Sequence, residues 1–143
     1  MKPWGAAGAL RSNATDMLNF LKANICAHHF NDPNCAGLPQ NILDALALAH
    51  LPNVYSPAGT LADPTIYIGQ GSPVEQAWAW QHRPAPVPNP NNVTGITSKD
   101  GGHPGFSTWI GFSPQKAYGL VILMNTGGGG LIHLGEAIID NTQ

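Results

Sequence analysis

The sequence predicts an α+β fold: an antiparallel sheet of three strands or more, covered by helices. Three observations carry this reading. Residues 1–50 hold two amphipathic stretches with helix-start signals. Residues 93–125 hold three short apolar runs separated by turn-forming residues, the pattern of antiparallel hairpins. A glycine run then leads into a last amphipathic stretch at 131–141.

The elements follow in order. Residues 12–24 read as a helix that Ser12 or Asn13 caps, with Asp16 at capping-box distance and Met17, Leu18, Phe20 and Leu21 as its apolar stripe. Residues 38–50 read as a second helix. Pro39 suits its first turn, and Ile42, Leu43, Leu46 and Ala49 recur at helical spacing. Residues 51–74 are rich in Pro, Gly and Ser, with room for short strands near Ile66–Ile68. The alternation in Glu75–His82 predicts a strand with Trp78 and Trp80 on one face. Arg83–Asn92 carries four prolines and reads as an extended connector rather than a domain boundary. Val93–Ser98, Phe106–Phe112 and Ala117–Asn125 are the three sheet strands, the last two joined by the turn Ser113-Pro114-Gln115-Lys116. Leu131–Asn141 closes the chain as a covering helix. The organisation is thus helical over 1–50, irregular with short strands over 51–92, and hairpins plus a helix over 93–143.

Composition narrows the function. Charged residues are 10% of 143 and the formal net charge is −2, so nothing here resembles a basic nucleic-acid surface. No apolar run reaches the roughly 18–20 residues of a membrane span. Met1-Lys2-Pro3-Trp4-Gly5 lacks the apolar core of an export signal. Cys26 and Cys35 flank Asn31-Asp32-Pro33-Asn34, which can turn back. A local disulfide, a pair of free thiols, or a metal site with His28, His29 and Asp32 are all open readings, although the spacing fits no standard zinc pattern. No cofactor or metal is expected. Gly127–Gly130 reads as a flexible turn, because no Gly-Lys-Ser/Thr follows it. His133 and His50 read as helix residues, His50 being favoured at a helix end as a cation.

The richest chemistry lies in Lys99-Asp100-Gly101-Gly102-His103-Pro104-Gly105, read as a loop between two strands. Its glycines let backbone approach a ligand and free N–H groups for an anion, and a lysine beside them favours a carboxylate or developing oxyanion. The rival reading is a solvated glycine-rich hairpin.

Gly95–Asn125 resembles the C-terminal segment of class C β-lactamases and of related penicillin-binding proteins, DD-peptidases and serine esterases. Lys99, Asp100 and Gly101 match their Lys-Thr/Ser-Gly triad, and Gly105-Phe106 the following Gly-Phe turn. Phe112, Pro114, Lys116, Gly119, Val121, Leu123 and Asn125 match the apolar hairpin. Upstream, Ala6–Ile25 resembles the family's helix start ending in Asp-Met, here Asp16-Met17. The resemblance implies a single, partial β-lactamase/transpeptidase-like domain over 1–143. It implies that Lys99 polarises the site and holds a substrate carboxylate, that the Gly102 N–H is an oxyanion donor, and that Asn125 contacts the carboxylate. Asp100 departs from the pattern, since an ionised carboxylate repels the group that Thr or Ser would hydrogen-bond; paired with Lys99 or His103, it suits a substrate lacking a carboxylate.

The family also uses a helix-borne Ser-x-x-Lys nucleophile and a Tyr-x-Asn relay. Ser113–Lys116 fits the first only as a hairpin turn, and Tyr55, Tyr67 and Tyr118 are followed two residues on by Pro57, Gly69 and Leu120. The expectation is a serine hydrolase-like chain that is inert by itself and has no catalytic residue of its own. A non-catalytic ligand-binding or assembly module is the alternative. In the family the last strand pairs with N-terminal strands, so the resemblance implies an exposed apolar edge at Ala117–Asn125 and, with it, a homodimer, a domain swap, or pairing with a complementary N-terminal segment. Relatives are often periplasmic, and the sequence leaves localisation open.

Overall fold

A computed structural model describes residues 11–51, 75–83 and 95–142. The short strands expected near Ile66–Ile68, most of the proline connector and Val93–Thr94 lie outside the described residues.

Helix α1 spans Ala14–Cys26 and starts where Asn13, in an extended conformation, accepts from the Asp16 N–H through its side chain. The Asn13 amide donates in turn to Asp16 Oδ2 (2.8 Å), a reciprocal cap that fixes the entry of the chain. A short 3₁₀ turn, Pro33–Cys35, is capped by Asp32, and Cys35 is bonded to Cys26 with their Cα atoms 5.5 Å apart. Helix α2 spans Gln40–Ala49. Pro39 precedes it in an extended conformation instead of sitting in its first turn, because its fixed φ suits either place.

Among the described residues the sheet is a five-stranded antiparallel meander in chain order: β1 (Glu75–Gln76), β2 (Gln81–Arg83), β3 (Ile96–His103), β4 (Phe106–Ser113) and β5 (Tyr118–Met124). Helix α3, Leu131–Asn141, follows. An α+β arrangement with an antiparallel sheet under covering helices is therefore what the chain adopts.

Two expectations are corrected. Glu75–His82 is not one strand but a hairpin: the Ala77 N–H donates to Trp80 O (2.9 Å) and Ala79 sits at φ +60°. Trp78 points to solvent at 66% exposure while Trp80 is buried at 7%, so they do not share a face. Residues 99–103 are not loop but the outer half of β3, paired with β4 from Lys99↔Ile110 to His103↔Phe106. The turn between them is only Pro104-Gly105, with Gly105 at φ +84°, a conformation glycine adopts without strain.

Strand alternation sorts the core into two layers. On one face Ile110 and Phe112 of β4 pack with Leu21 and Ile25 of α1, Trp80 and Val121. On the other, Ile96 and Trp109 pack with Leu131 and Ile139 of α3 and with Leu120 and Ile122 of β5. The disulfide and Leu43 make a satellite cluster that ties α2 to α1.

Candidate functional site

Strand β2 pairs with β3 only at Ile96, Thr97 and Ser98. Beyond Ser98, the edge of β3 away from β4 meets no other strand among the described residues. That open stretch is Lys99–His103.

The backbone orientation there follows from two contacts. Within a strand residue, N–H and C=O point the same way, and the direction reverses at each residue. The Thr108 hydroxyl donates to Gly101 O (3.4 Å), which places the Gly101 carbonyl on the β4 side. Lys99 Nζ donates to Asp100 O (2.8 Å). Alternation then turns the N–H groups of Asp100 and Gly102 toward the open edge. A Cβ built on Gly102 would meet no atom of the described residues within 4 Å, so the face of the sheet is open over this backbone. Gly101 is tighter, since a Cβ there would lie 3.0 Å from the Thr108 hydroxyl.

Lys99 and Asp100 form an ion pair, Nζ to Oδ1 2.9 Å, with side chains 47% and 46% exposed. Asn125 is placed differently. It follows Met124, which pairs with Ser107, and Ser107 pairs with Gly102. Asn125 therefore shares the sheet end with Gly102 but sits two strand spacings from β3, about 10 Å. The structure groups Lys99, Asp100, Gly101 and Gly102, and leaves Asn125 apart and exposed.

Ser113 and Lys116 have other partners. Ser113 is fully buried at the end of β4, where its hydroxyl donates to Gln115 Oε1 (3.1 Å) and accepts from the Lys116 N–H (3.3 Å). The Lys116 ammonium donates to the carbonyls of Ile139, Asp140 and Thr142 at 2.6–3.0 Å, capping the C-terminal end of α3.

A histidine relay under the sheet has no signature in the sequence. Asn24 Nδ2 donates to Phe20 O (2.7 Å), so Oδ1 faces His50 and accepts from its Nε2 (2.8 Å). The bare His50 Nδ1 then accepts from His28 Nε2 at 2.9 Å. These tautomers follow from the donor order. His50 is not a helix-end cation: burial first, then His28 and His82, lower its pKa to about 4. Burial also lowers His28, helped by His29 and His82. The contacts join residues 22 and 26 apart in sequence, and local periodicity carries no trace of them. An open groove of about 400 Å³ beside the disulfide, lined by Leu18, Lys22, His29 and Ala117, lies at the sheet end opposite Gly102. Among the described residues no group of three or more His, Cys, Asp or Glu is arranged to hold a metal ion. None of the described helices is long and apolar enough to cross a membrane.

No curated protein matches the chain significantly. Among solved structures it is similar to a class C β-lactamase, with a TM-score of 0.64 and 19% identity. The match covers 92% of this chain and 36% of that one, so the chain spans little more than a third of the length of the structure it resembles. That likeness concerns the fold. The Beta-lactamase family model matches residues 1–139, nearly the whole sequence, and on that match the chain belongs to the β-lactamase family.

Proposed function

We propose that residues 99–102 form one wall of a serine β-lactamase- or DD-peptidase-like hydrolase site, and that this chain by itself is catalytically inert. The observation that carries the reading is the open outer half of β3. There the Gly102 N–H turns outward near the Lys99–Asp100 ion pair, and the face of the sheet over Gly102 carries no side chain. An N–H donor so placed stabilises an oxyanion. Asn125, two strands away, is a more distant contact for a long substrate.

The inertness follows from Ser113 and Lys116. A nucleophilic serine needs access to substrate and a base aimed at its hydroxyl. Ser113 has no exposure, and its lysine neighbour is spent on three carbonyls of α3. In this reading Ser113-Pro114-Gln115-Lys116 is a structural turn, and no other Ser-x-x-Lys occurs in the sequence. The test is hydrolysis of nitrocefin and p-nitrophenyl acetate by the purified chain and by Ser113→Ala. Both proteins are expected to match the buffer rate. Turnover by the wild-type chain that Ser113→Ala abolishes would overturn both the inertness and the structural role of the turn.

A second reading, an assembly module, draws on β5. Its only partner strand among the described residues is β4, and Tyr118–Met124 carries no charge and no proline to guard the edge. Leu123 is 51% exposed. An edge of this kind pairs readily with another strand, from a second copy or from a complementary N-terminal segment. Light scattering at tens of micromolar is expected to report a mass above the monomer; a strictly monomeric mass would remove this reading.

A further inference from the structure

We propose that Asp100 sets ligand specificity on the β3 edge, turning it away from carboxylates and toward uncharged, hydrogen-bonding acyl compounds such as amides and esters. The proposal rests on the reading of residues 99–102 as a ligand-binding wall. Side chains 99 and 100 leave opposite faces of the sheet. They can meet at 2.9 Å only by wrapping around an edge of the strand, and β4 occupies one of the two. The ion pair therefore lies on the open edge itself, where Lys99 also reaches Asp100 O. Two of the three ammonium donors are consumed within the strand.

An anion approaching the Gly102 N–H meets a lysine already neutralised and a carboxylate at hydrogen-bond distance from it. Attraction and repulsion act from nearly the same place and cancel. A neutral amide or ester loses nothing by this arrangement, since its carbonyl still finds the outward N–H groups of Asp100 and Gly102, and Gly102 presents no side chain to obstruct it. With threonine or asparagine at position 100, the ammonium is released and nothing negative opposes a carboxylate.

The test uses the full ¹⁵N-labelled chain, titrated with N-acetylalaninate and with N-acetylalanine methylamide. The readout is the backbone amide signals of residues 100 and 102. In the wild-type chain the methylamide is expected to bind about tenfold more tightly than the anion. Asp100→Thr and Asp100→Asn should each strengthen anion binding about tenfold and leave methylamide binding within about twofold. Adding Lys99→Met to Asp100→Asn should remove the gain. Anion binding by the wild-type chain equal to that of both variants would overturn the role of Asp100 and leave the wall standing. Signals that neither probe moves in any of these proteins would overturn the wall itself, and this proposal with it. Asp100 is exposed, and two variants with unchanged thermal unfolding guard against a folding artefact.

Discussion

The two faces of the sheet are built on different physics. Under α3, Trp109 is 1% exposed, and its ring fills the space that Cβ atoms on Gly111 and Gly135 would take, at 2.2 and 2.5 Å. Close packing around one large ring dominates that layer. Its charges sit at the rim, where Arg83 bridges Glu136 (3.3 Å) and Asp140 (2.8 Å). Under α1, the layer instead includes polar rings. His50 is 5% exposed and stacks on His28 (5.0 Å between centroids), with Phe112 and Trp80 edge-on to it. A layer held by shape responds to volume, and a layer holding neutral imidazoles responds to protons.

The largest expected effects test the α3 side. Trp109→Ala should cost about 3–5 kcal/mol, because it leaves a large void in a dry layer. Gly135→Ala should cost about 1–3 kcal/mol by overpacking, since the new methyl would enter the indole ring. In the double variant the methyl has space, so the two losses should add to less than their sum. Urea unfolding of the three proteins checks this. Strict additivity would mean that the glycine matters for some reason other than the ring.

The second test separates the faces by pH. The His50 pKa falls from 6.5 in the unfolded chain to about 4 in the folded one. Above pH 6.5 both states are neutral and nothing is lost. Between 6.5 and 4 the unfolded chain takes up the proton and the folded chain does not, so stability falls as pH falls, by up to about 3 kcal/mol. Glu136 has the opposite sign. Burial raises its pKa against the pull of Arg83, so the folded state binds the proton first, and stability attributable to it rises as pH drops toward 4.5. His50→Gln keeps a neutral amide beside Asn24, and it should flatten the acid limb of the stability profile without removing the Glu136 contribution. An unchanged acid limb in His50→Gln would show that the neutral imidazole does not set it.

The same contrast explains what the sequence made legible. The α3 side was nearly all visible: Leu131–Asn141 appears with the expected bounds, and the hairpin through Ser113–Lys116 needed only apolar runs and a turn. The α1 side was visible only as far as local signals reached. Asn13 and Asp16 announced the helix start, but the His28–His50 bond depends on how α1 and α2 pack. The turn at Ala79 was hidden because a non-glycine residue at φ +60° has no sequence signature, and Glu75–His82 alternates like a strand. At the site, Gly101 and Gly102 are poor strand formers, yet pairing with Thr108 and Ser107 holds them in β3. Tertiary pairing overrode propensity there, and the grouping of Lys99 with Asp100 survived because it is local.

The smallest predicted effect also turns on the two sides, through how each covering helix begins. Helix α1 starts with the Asn13 side chain accepting from the Asp16 N–H at 3.0 Å and donating to the Asp16 carboxylate. Helix α3 starts at Gly130 with φ +98° and no side-chain cap, so its N-terminal N–H groups lack that compensation. If capping matters to how α1 is held, Asn13→Ala should destabilise the chain by about 1 kcal/mol, and Asn13→Ser should restore most of it. The helix would then fray from its first turn while Leu21 and Ile25 stay packed, so hydrogen exchange should quicken at Asp16 and Met17 and stay unchanged near Ile25. Faster exchange along the whole of α1 would mean instead that the cap, and not the apolar face, keeps this helix on the sheet.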